Sequence, residues 1–148
     1  MLTEALVIMF FVTGIQLMVP ILLAALGETI SERSGVLNVG IEGSMLIGAL
    51  VSAIVGIKLD SVVLGLLLGS AAGVGTGIIL AILYVARGID QIVTGLLFNI
   101  FALGFTGLMH SRFIGGQVGP TLSPFHVPLV GDIPKVGEVL NRQNILFW

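Results

Sequence analysis

The chain has 148 residues, of which 56% are hydrophobic and only 9% are charged, and its formal net charge at pH 7 is −2. Soluble domains carry roughly a quarter charged residues, so this composition excludes an ordinary water-soluble globule and indicates a protein whose solvent is the lipid bilayer. The sequence contains no basic cluster and therefore predicts no nucleic-acid partner, and its lack of cysteine excludes disulfides and thiolate metal sites.

Four apolar segments follow one another along the chain, and we expect each to be a membrane-spanning helix. Because a helix rises about 1.5 Å per residue, about 20 apolar residues cross a hydrocarbon layer of roughly 30 Å. The segments cover about residues 5–26, 36–57, 62–85 and 92–109. The predicted fold class is all-α, a polytopic transmembrane helical protein with about four spans.

The first segment carries no charge, and Pro20 within it predicts a bend. The run is too long, and its start too poor in positive charge, for a secretory signal peptide, so we expect it to remain as an anchor. The polar residues 27–35 that follow are expected to form a surface connection or an interfacial turn.

The second segment is the least regular, because it combines glycines with Asn38 and Glu42. It could be broken or partly unwound. If its helix starts near Gly35, Glu42 lies about 10 Å along the axis. An ionised side chain costs roughly a few kcal/mol at that depth, so Glu42 must be paired, protonated or facing water. Asn38 would share its helix face.

A second polar stripe is predicted on the fourth segment, where Gln91, Gly95 and Asn99 recur every four residues. Asn99 lies about 14 Å beyond Asp90, near the middle of the membrane. If the two polar stripes faced each other, the polar side chains of each would find hydrogen-bonding partners on the other. Asn38, Glu42, Gln91 and Asn99 therefore either line a translocation path or brace the helices, and both interpretations stay open at this point.

Small residues at a spacing of four predict close helix packing on the third segment and a partner face on the second. The ridge consists of Gly65, Gly69, Gly73 and Gly77, and the partner face of Gly40, Ser44 and Gly48. In lipid, close backbone approach at small residues is a main source of helix association. Helix packing alone explains the pattern, with a substrate path between close-packed helices as the alternative.

The connections are short until residue 110. Asp60 or Ser61 is placed to cap the third helix, and the few polar residues from Arg87 to Gln91 require the third and fourth helices to be antiparallel neighbours. Residues 110–143 contain four prolines and a glycine pair, which predict a long loop. The last residues resemble the start of a fifth helix, so we expect the chain to be part of a longer protein.

No residues support a catalytic assignment, a cofactor or a phosphate-binding loop. His110 and His126 have no other ligands nearby in the sequence, and no metal site is predicted. Any ATP hydrolysis is expected on another chain.

Three parts of the chain carry a family resemblance. Residues 23–28 read LAALGE, residues 31–43 read SERSGVLNVGIEG, and residues 90–99 read DQIVTGLLFN. With them the chain resembles the ABC importer permeases for simple sugars and nucleosides, and the third stretch looks like the nucleoside branch. The stretches PLVGDIP at 128–134 and NRQN at 141–144 also look like that branch.

This resemblance implies that residues 1–148 are the N-terminal part of a single permease domain with about eight to ten spans when complete. It also implies a prokaryotic cell membrane and the translocation path for a nucleoside or simple sugar. The implied partners are an ABC ATPase subunit, a second permease subunit in a homo- or heterodimer, an extracytoplasmic substrate-binding protein and the lipid bilayer. The family's cytoplasmic coupling segment is absent from these residues.

Two other functions remain open on the sequence. One is an ion-coupled secondary transporter or channel, in which Glu42 binds a proton or a cation. The other is a non-transporting membrane scaffold, with the glycine ridge as its oligomerisation face.

Overall fold

The computed structural model describes residues 2–121, with side chains from Leu6 onward. Its helices are α1 (Leu2–Arg33), α2 (Ile41–Leu59), α3 (Val62–Ala81) and α4 (Gln91–Phe113), and a π-helical turn (Ile82–Ala86) continues α3. Four helical segments of this part of the chain are long and apolar enough to cross a membrane, which confirms the predicted all-α fold class. The predicted loop beyond residue 121 and the start of a fifth helix lie outside the described residues.

The described part of the chain divides into two units, the first containing residues 2–26 and the second residues 27–121. In the first unit α1 continues through Pro20 without a break in its helical assignment. Its apolar side chains are exposed, among them Phe10 and Leu23 at 74% and 65%. Such exposure along a whole helix would be unfavourable in water and is expected in lipid.

The second unit begins with the last two turns of α1. Helix α1 ends at Arg33, so residues 27–33, predicted as a polar connection, are helical instead. The Ser31 hydroxyl donates to the Gly27 carbonyl at 3.2 Å, and Gly35, with φ +82°, reverses the chain after the helix. A left-handed glycine is the common way to end a helix, because it has no Cβ to clash.

Helices α2 and α3 are antiparallel. Asp60 is left-handed, with φ 46°, at the end of α2, and Ser61 then caps α3 by accepting a hydrogen bond from the Leu64 amide at 3.4 Å. This cap was one of the two predicted for the third helix. The tight connection returns α3 directly along α2.

Glycines bring the α2 and α3 backbones together. A Cβ placed at Gly65 would lie 2.8 Å from the Ser52 carbonyl oxygen, and one at Gly69 would lie 2.6 Å from the Ser52 Cβ. A Cβ at Gly48 would lie 3.2 Å from the Gly69 carbonyl oxygen. Distances this short leave no space for larger side chains on either helix.

The contacting face of α2 differs from the predicted one. It consists of Gly48, Ser52 and Gly56, which is again a spacing of four. The predicted face is displaced because α2 begins only at Ile41: Gly40 precedes the helix, and the Ser44 hydroxyl bonds the Gly40 carbonyl at 3.3 Å.

The two ends of the predicted ridge also differ. Gly65 and Gly69 lie against α2, and the Gly73 Cα lies 4.0 Å from a Cβ placed at Gly48. A Cβ at Gly77 would meet no atom within 4 Å among the described contacts. The close approach therefore covers the first half of α3.

Helix α4 runs parallel to α2. The Asn99 side chain meets the first turn of α2, and the Lys58 ammonium at the end of α2 lies 5.0 Å from the centre of the Phe113 ring at the end of α4. Asp90 caps α4 by accepting a hydrogen bond from the Val93 amide at 2.9 Å. Helix α4 continues to Phe113, four residues beyond its predicted end.

Candidate functional site

A non-helical stretch, residues 34–40, separates α1 from α2, and we call it the broken segment. Gly35 has a left-handed φ of +82°, residues 36–38 have no regular secondary structure, and Gly40 is the residue before α2. The sequence analysis placed the start of the second span at about residue 36 and left open that this span is broken; residues 36–40 are not helical, and α2 begins at Ile41. The cause is tertiary, because side chains of other helices bind the backbone that a helix would otherwise satisfy by itself.

The broken segment reaches membrane depth. Gly43, in the first turn of α2, bonds Asn99, which lies eight residues after the first residue of α4, or about 12 Å along that helix. Irregular backbone at such depth is tolerated only where protein or a water-filled cavity satisfies its polar groups.

Asn99 joins the broken segment to α2. Its Nδ2 donates to the Val39 carbonyl at 2.9 Å, and its Oδ1 accepts from the Gly43 amide at 2.8 Å. Gly40 precedes α2 and has no side chain to cap it, so the third amide of the helix needs an outside acceptor. Asn99 supplies from α4 the bond that a capping side chain normally supplies locally.

Side chains of two other helices bind the backbone of the segment. Gln91 Oε1, at the start of α4, accepts from the Leu37 amide at 2.7 Å. Glu28 Oε1, on α1, accepts from the Asn38 amide at 2.9 Å. Two consecutive amides of the broken segment are thus bound by different helices.

Glycines allow the segment to approach α4. A Cβ at Gly95 would lie 2.7 Å from the Val39 Cβ and 2.8 Å from the Gly40 nitrogen. A Cβ at Gly40 would lie 2.7 Å from Leu80 Cδ1. Any larger residue at Gly95 would separate Asn99 from the backbone groups it bonds.

Three buried oxygen atoms beside the segment have no hydrogen-bond partner within the described residues: Glu28 Oε2, Asn38 Oδ1 and the Tyr84 hydroxyl. Tyr84 is only 5% exposed and belongs to the π-helical turn after α3. π-Helical turns are frequent at functional sites, because the wider turn displaces one side chain from the regular helical pattern.

The predicted polar residues meet in part. Gln91, Gly95 and Asn99 share one face of α4, as the spacing predicted, and this face contacts the backbone of the broken segment. The predicted helical stripe of Asn38 and Glu42 was wrong, because Asn38 is not helical. Glu42 is the second residue of α2 and is exposed.

Sequence reasoning missed Glu28 and Tyr84. Glu28 was placed in the predicted polar connection after the first span. The first helix continues to Arg33 instead, which puts Glu28 in its last two turns. Tyr84 is the single tyrosine of the chain and lies in an otherwise apolar span. A hydroxyl in such a span needs a partner, which is the signal that could have identified it.

The described residues contain no group of three or more His, Cys, Asp or Glu side chains that could hold a metal ion. His110 lies in the last turn of α4, and His126 is outside the described residues. The oxygen atoms at the broken segment can accept hydrogen bonds or act as hard ligands. Among the described residues there, no nucleophile lies beside a base.

Residues 10–138 match a family model described as branched-chain amino acid transport system / permease component. The chain belongs to this family. The match includes the whole of the broken segment, the side chains that bond it and the glycine contact of α2 with α3. It confirms the resemblance given by the sequence and identifies a multi-pass membrane protein.

Three curated relatives are similar over most of the chain. The guanosine ABC transporter permease protein NupQ of Bacillus subtilis (strain 168) is 38% identical over 130 residues, which are 81% of this chain and 41% of the relative. The putative glucose ABC transporter permease protein TsgC13 of Haloferax volcanii is 34% identical, over 88% of this chain and 40% of the relative.

The nucleoside ABC transporter permease protein NupC of Lactococcus lactis subsp. cremoris is 30% identical over 86% of this chain and 43% of the relative. The chain therefore spans about two fifths of the length of the relatives it matches. No solved structure matches the chain significantly.

Proposed function

We propose that the chain is part of the transmembrane permease subunit of an ABC-type importer in a prokaryotic cell membrane, and that it helps to form the path for a nucleoside or simple sugar. ATP hydrolysis lies on a separate subunit. A second permease subunit completes the path, and an extracytoplasmic binding protein delivers the substrate. Family membership and the names of the three relatives support this assignment.

The observation that carries the proposal is the broken segment at membrane depth. Transporters commonly form substrate sites where a spanning helix is discontinuous, because such backbone presents polar groups that a regular helix uses internally. Five polar side chains lie at this break. Three of them bond its backbone, namely Glu28, Gln91 and Asn99. Asn38 and Tyr84, like Glu28, have a buried oxygen without a partner among the described residues. A purely structural helix pair such as α2 and α3 needs none of them.

The position of Glu42 is evidence for a translocation path along the neighbouring face of α2. It adjoins Gly43 and so lies at the level of Asn99, about 12 Å from the start of α4. Its side chain is exposed with respect to the described helices. Because a carboxylate facing lipid at that depth would cost roughly a few kcal/mol, Glu42 faces water or a polar partner in the assembled permease.

The two sets of contacts suggest how the path changes. The glycine interface holds α2 and α3 together as one body, whereas the start of α2 is held by a few hydrogen bonds to α1 and α4. ATP binding and hydrolysis on the partner subunit shift the population of inward-open and outward-open states, and the broken segment is where α2 changes its relation to α4.

Uptake of labelled guanosine, uridine and glucose tests the proposal in cells lacking the gene, complemented with the whole permease or with variants at equal abundance. We expect uptake of at least one of these compounds to depend on the gene and on an active ATPase subunit. Glu42→Ala and Asn99→Leu should each lower uptake by about tenfold or more, since each removes a polar group worth roughly 1–3 kcal/mol.

Ser111→Ala is the matched control. The Ser111 hydroxyl is exposed, and within residues 2–121 it bonds only the Gly107 carbonyl of its own helix, so uptake should not change. Uptake that survives ATPase inactivation and collapses with a protonophore would replace the proposal with an ion-coupled transporter. Unchanged uptake of all three compounds after gene deletion would favour a scaffold.

A further inference from the structure

The three orphan oxygens of the candidate site are the starting point. In folded proteins the large majority of buried polar atoms have a hydrogen-bond partner, so a single exception needs an explanation and three at one place need a common one. Glu28 Oε2, Asn38 Oδ1 and the Tyr84 hydroxyl all lack a partner among the described residues. They come from α1, the broken segment and the π-helical turn.

The three atoms belong to side chains that contact the same part of the broken segment. The other oxygen of Glu28 lies 2.9 Å from the Asn38 amide. The Tyr84 hydroxyl lies 3.3 Å from a Cβ placed at Gly40 and 3.0 Å from one placed at Gly95. The Glu28 carboxylate thus lies beside Asn38, and the Tyr84 hydroxyl lies beside Gly40, two residues further along the broken segment.

The carboxylate of Glu28 helps to decide what could bind the three unpaired oxygens. Glu28 carries the only carboxylate of the three, and its free oxygen has no donor, charged or neutral, within hydrogen-bond distance in the described part of the chain. Arg33 and Arg87 are exposed at the ends of their helical segments. A buried water would supply hydrogen bonds but would leave the charge of the half-buried Glu28 carboxylate uncompensated, whereas a metal cation would coordinate the oxygen atoms and compensate that charge.

The chemistry of the oxygens indicates the class of cation. Carboxylate, amide and phenol oxygens are hard ligands that suit alkali and alkaline-earth ions rather than zinc or copper. Calcium and magnesium sites use several carboxylates or substrate phosphates, and this cluster has one carboxylate. A broken helix also frees carbonyl groups, which coordinate Na⁺ in other transporters.

We propose that Glu28, Asn38 and Tyr84, with carbonyl groups of the broken segment, bind one monovalent metal cation. The cation joins the end of α1 to the broken segment and to the end of the α3 span. It stabilises the start of α2 in the arrangement seen here. The proposal does not rest on transport, since the site consists of residues of this chain alone and its occupancy is measured without turnover.

The test uses the whole permease in a lipid nanodisc, with thermal unfolding measured in NaCl, KCl or choline chloride at equal ionic strength. For an ion present at about 100 times its Kd, we expect one of the two metal salts to raise Tm by roughly 3–8 °C over choline. Equilibrium binding of ²²Na⁺ or ⁸⁶Rb⁺, the latter in place of K⁺, should give one site per permease chain.

Two variants and a control locate the site. In Glu28→Gln the new amide still accepts from the Asn38 amide and can donate to Asn38 Oδ1, so the protein should fold in choline and show no response to the cation. Tyr84→Phe should bind the cation about tenfold more weakly, because one oxygen ligand is lost. Glu32→Gln, one turn beyond Glu28 and exposed, should keep the full response.

The outcomes are distinct. A cation-specific rise in Tm that Glu28→Gln abolishes and Glu32→Gln retains supports the site. Equal Tm values in all three salts with no bound radioisotope overturn it and leave a water or a neutral side chain as the occupant. A response that persists in Glu28→Gln also overturns it. None of these results depends on uptake, so they separate from a failure of the proposed transport function.

Discussion

Helix α2 has two neighbours in the second unit and contacts them in opposite ways. Along α3, three short backbone approaches at glycine hold the helices together and no inter-helix side-chain hydrogen bond is present among the described residues. At α4, the amide of Asn99 bonds the backbone on both sides of Gly40. Small residues therefore suffice to pack two regular helices, whereas a break in the backbone needs polar side chains to bind its free amide and carbonyl groups.

The largest effect is expected where the glycine interface is filled. In Gly69→Leu the first added carbon would lie 2.6 Å from the Ser52 Cβ and 2.8 Å from the Gly48 carbonyl oxygen. The backbones must separate, at a cost at or above the roughly 1–3 kcal/mol usual for overpacking. We expect little folded permease, as measured by size-exclusion chromatography and Tm in detergent.

Gly77→Leu is the matched control on the same ridge, because a Cβ there meets no described atom within 4 Å. It should fold with a Tm close to that of the parent protein. Equal losses for the two variants would contradict the assignment of the close approach to the first half of α3.

A smaller effect is expected at the polar junction. Asn99→Leu leaves the Val39 carbonyl and the Gly43 amide without their partner. Each unpaired buried group costs roughly 1–3 kcal/mol, partly reduced where water or a neighbouring group replaces the bond. We expect a folded protein with a Tm lowered by several degrees and faster hydrogen exchange in peptides covering residues 36–43.

Asn99→Asp sharpens this result, since a carboxylate still accepts from Gly43 but cannot donate to Val39. That carboxylate also faces the Val39 carbonyl oxygen, at a depth where an ionised side chain costs roughly a few kcal/mol, so Asn99→Asp should lower Tm at least as much as Asn99→Leu. Exchange in residues 45–55 should not change in either variant, because the glycine interface is intact. Faster exchange throughout α2 would show that the two regions are not independent.

The smallest effect is expected at Gln91, which makes one bond, to the Leu37 amide. This residue begins α4 near the membrane surface, where water can replace the lost acceptor. Gln91→Leu should lower the free energy of unfolding by about 1 kcal/mol. Gln91→Glu keeps the acceptor oxygen and should be close to neutral. A loss as large as that of Asn99→Leu would place Gln91 deeper than the structure does.

Much of the fold follows from local sequence. Long apolar runs predicted the four spans, Ser61 was a predicted cap, and the spacing of Gln91, Gly95 and Asn99 predicted a polar face on α4. Each of these features depends on the spacing of residues or on neighbours a few positions away, and both can be read from one sequence.

The start of α2 did not follow from local sequence. Val36 to Gly40 continue the apolar pattern, and nothing in them shows that side chains 54 to 60 residues away bond Leu37 and Val39. The partner face on α2 was displaced by the same error, since Ser52 and Gly56 continue a spacing that starts at Gly48.

The most direct test is an experimental structure of the whole permease in a lipid nanodisc, with a map clear enough to show side-chain amides. We expect α2 to begin at Ile41 and the Asn99 amide to lie within hydrogen-bond distance of both Val39 and Gly43. A continuous helix from residue 36, with Asn99 directed away from it, would show that α4 does not hold a broken segment.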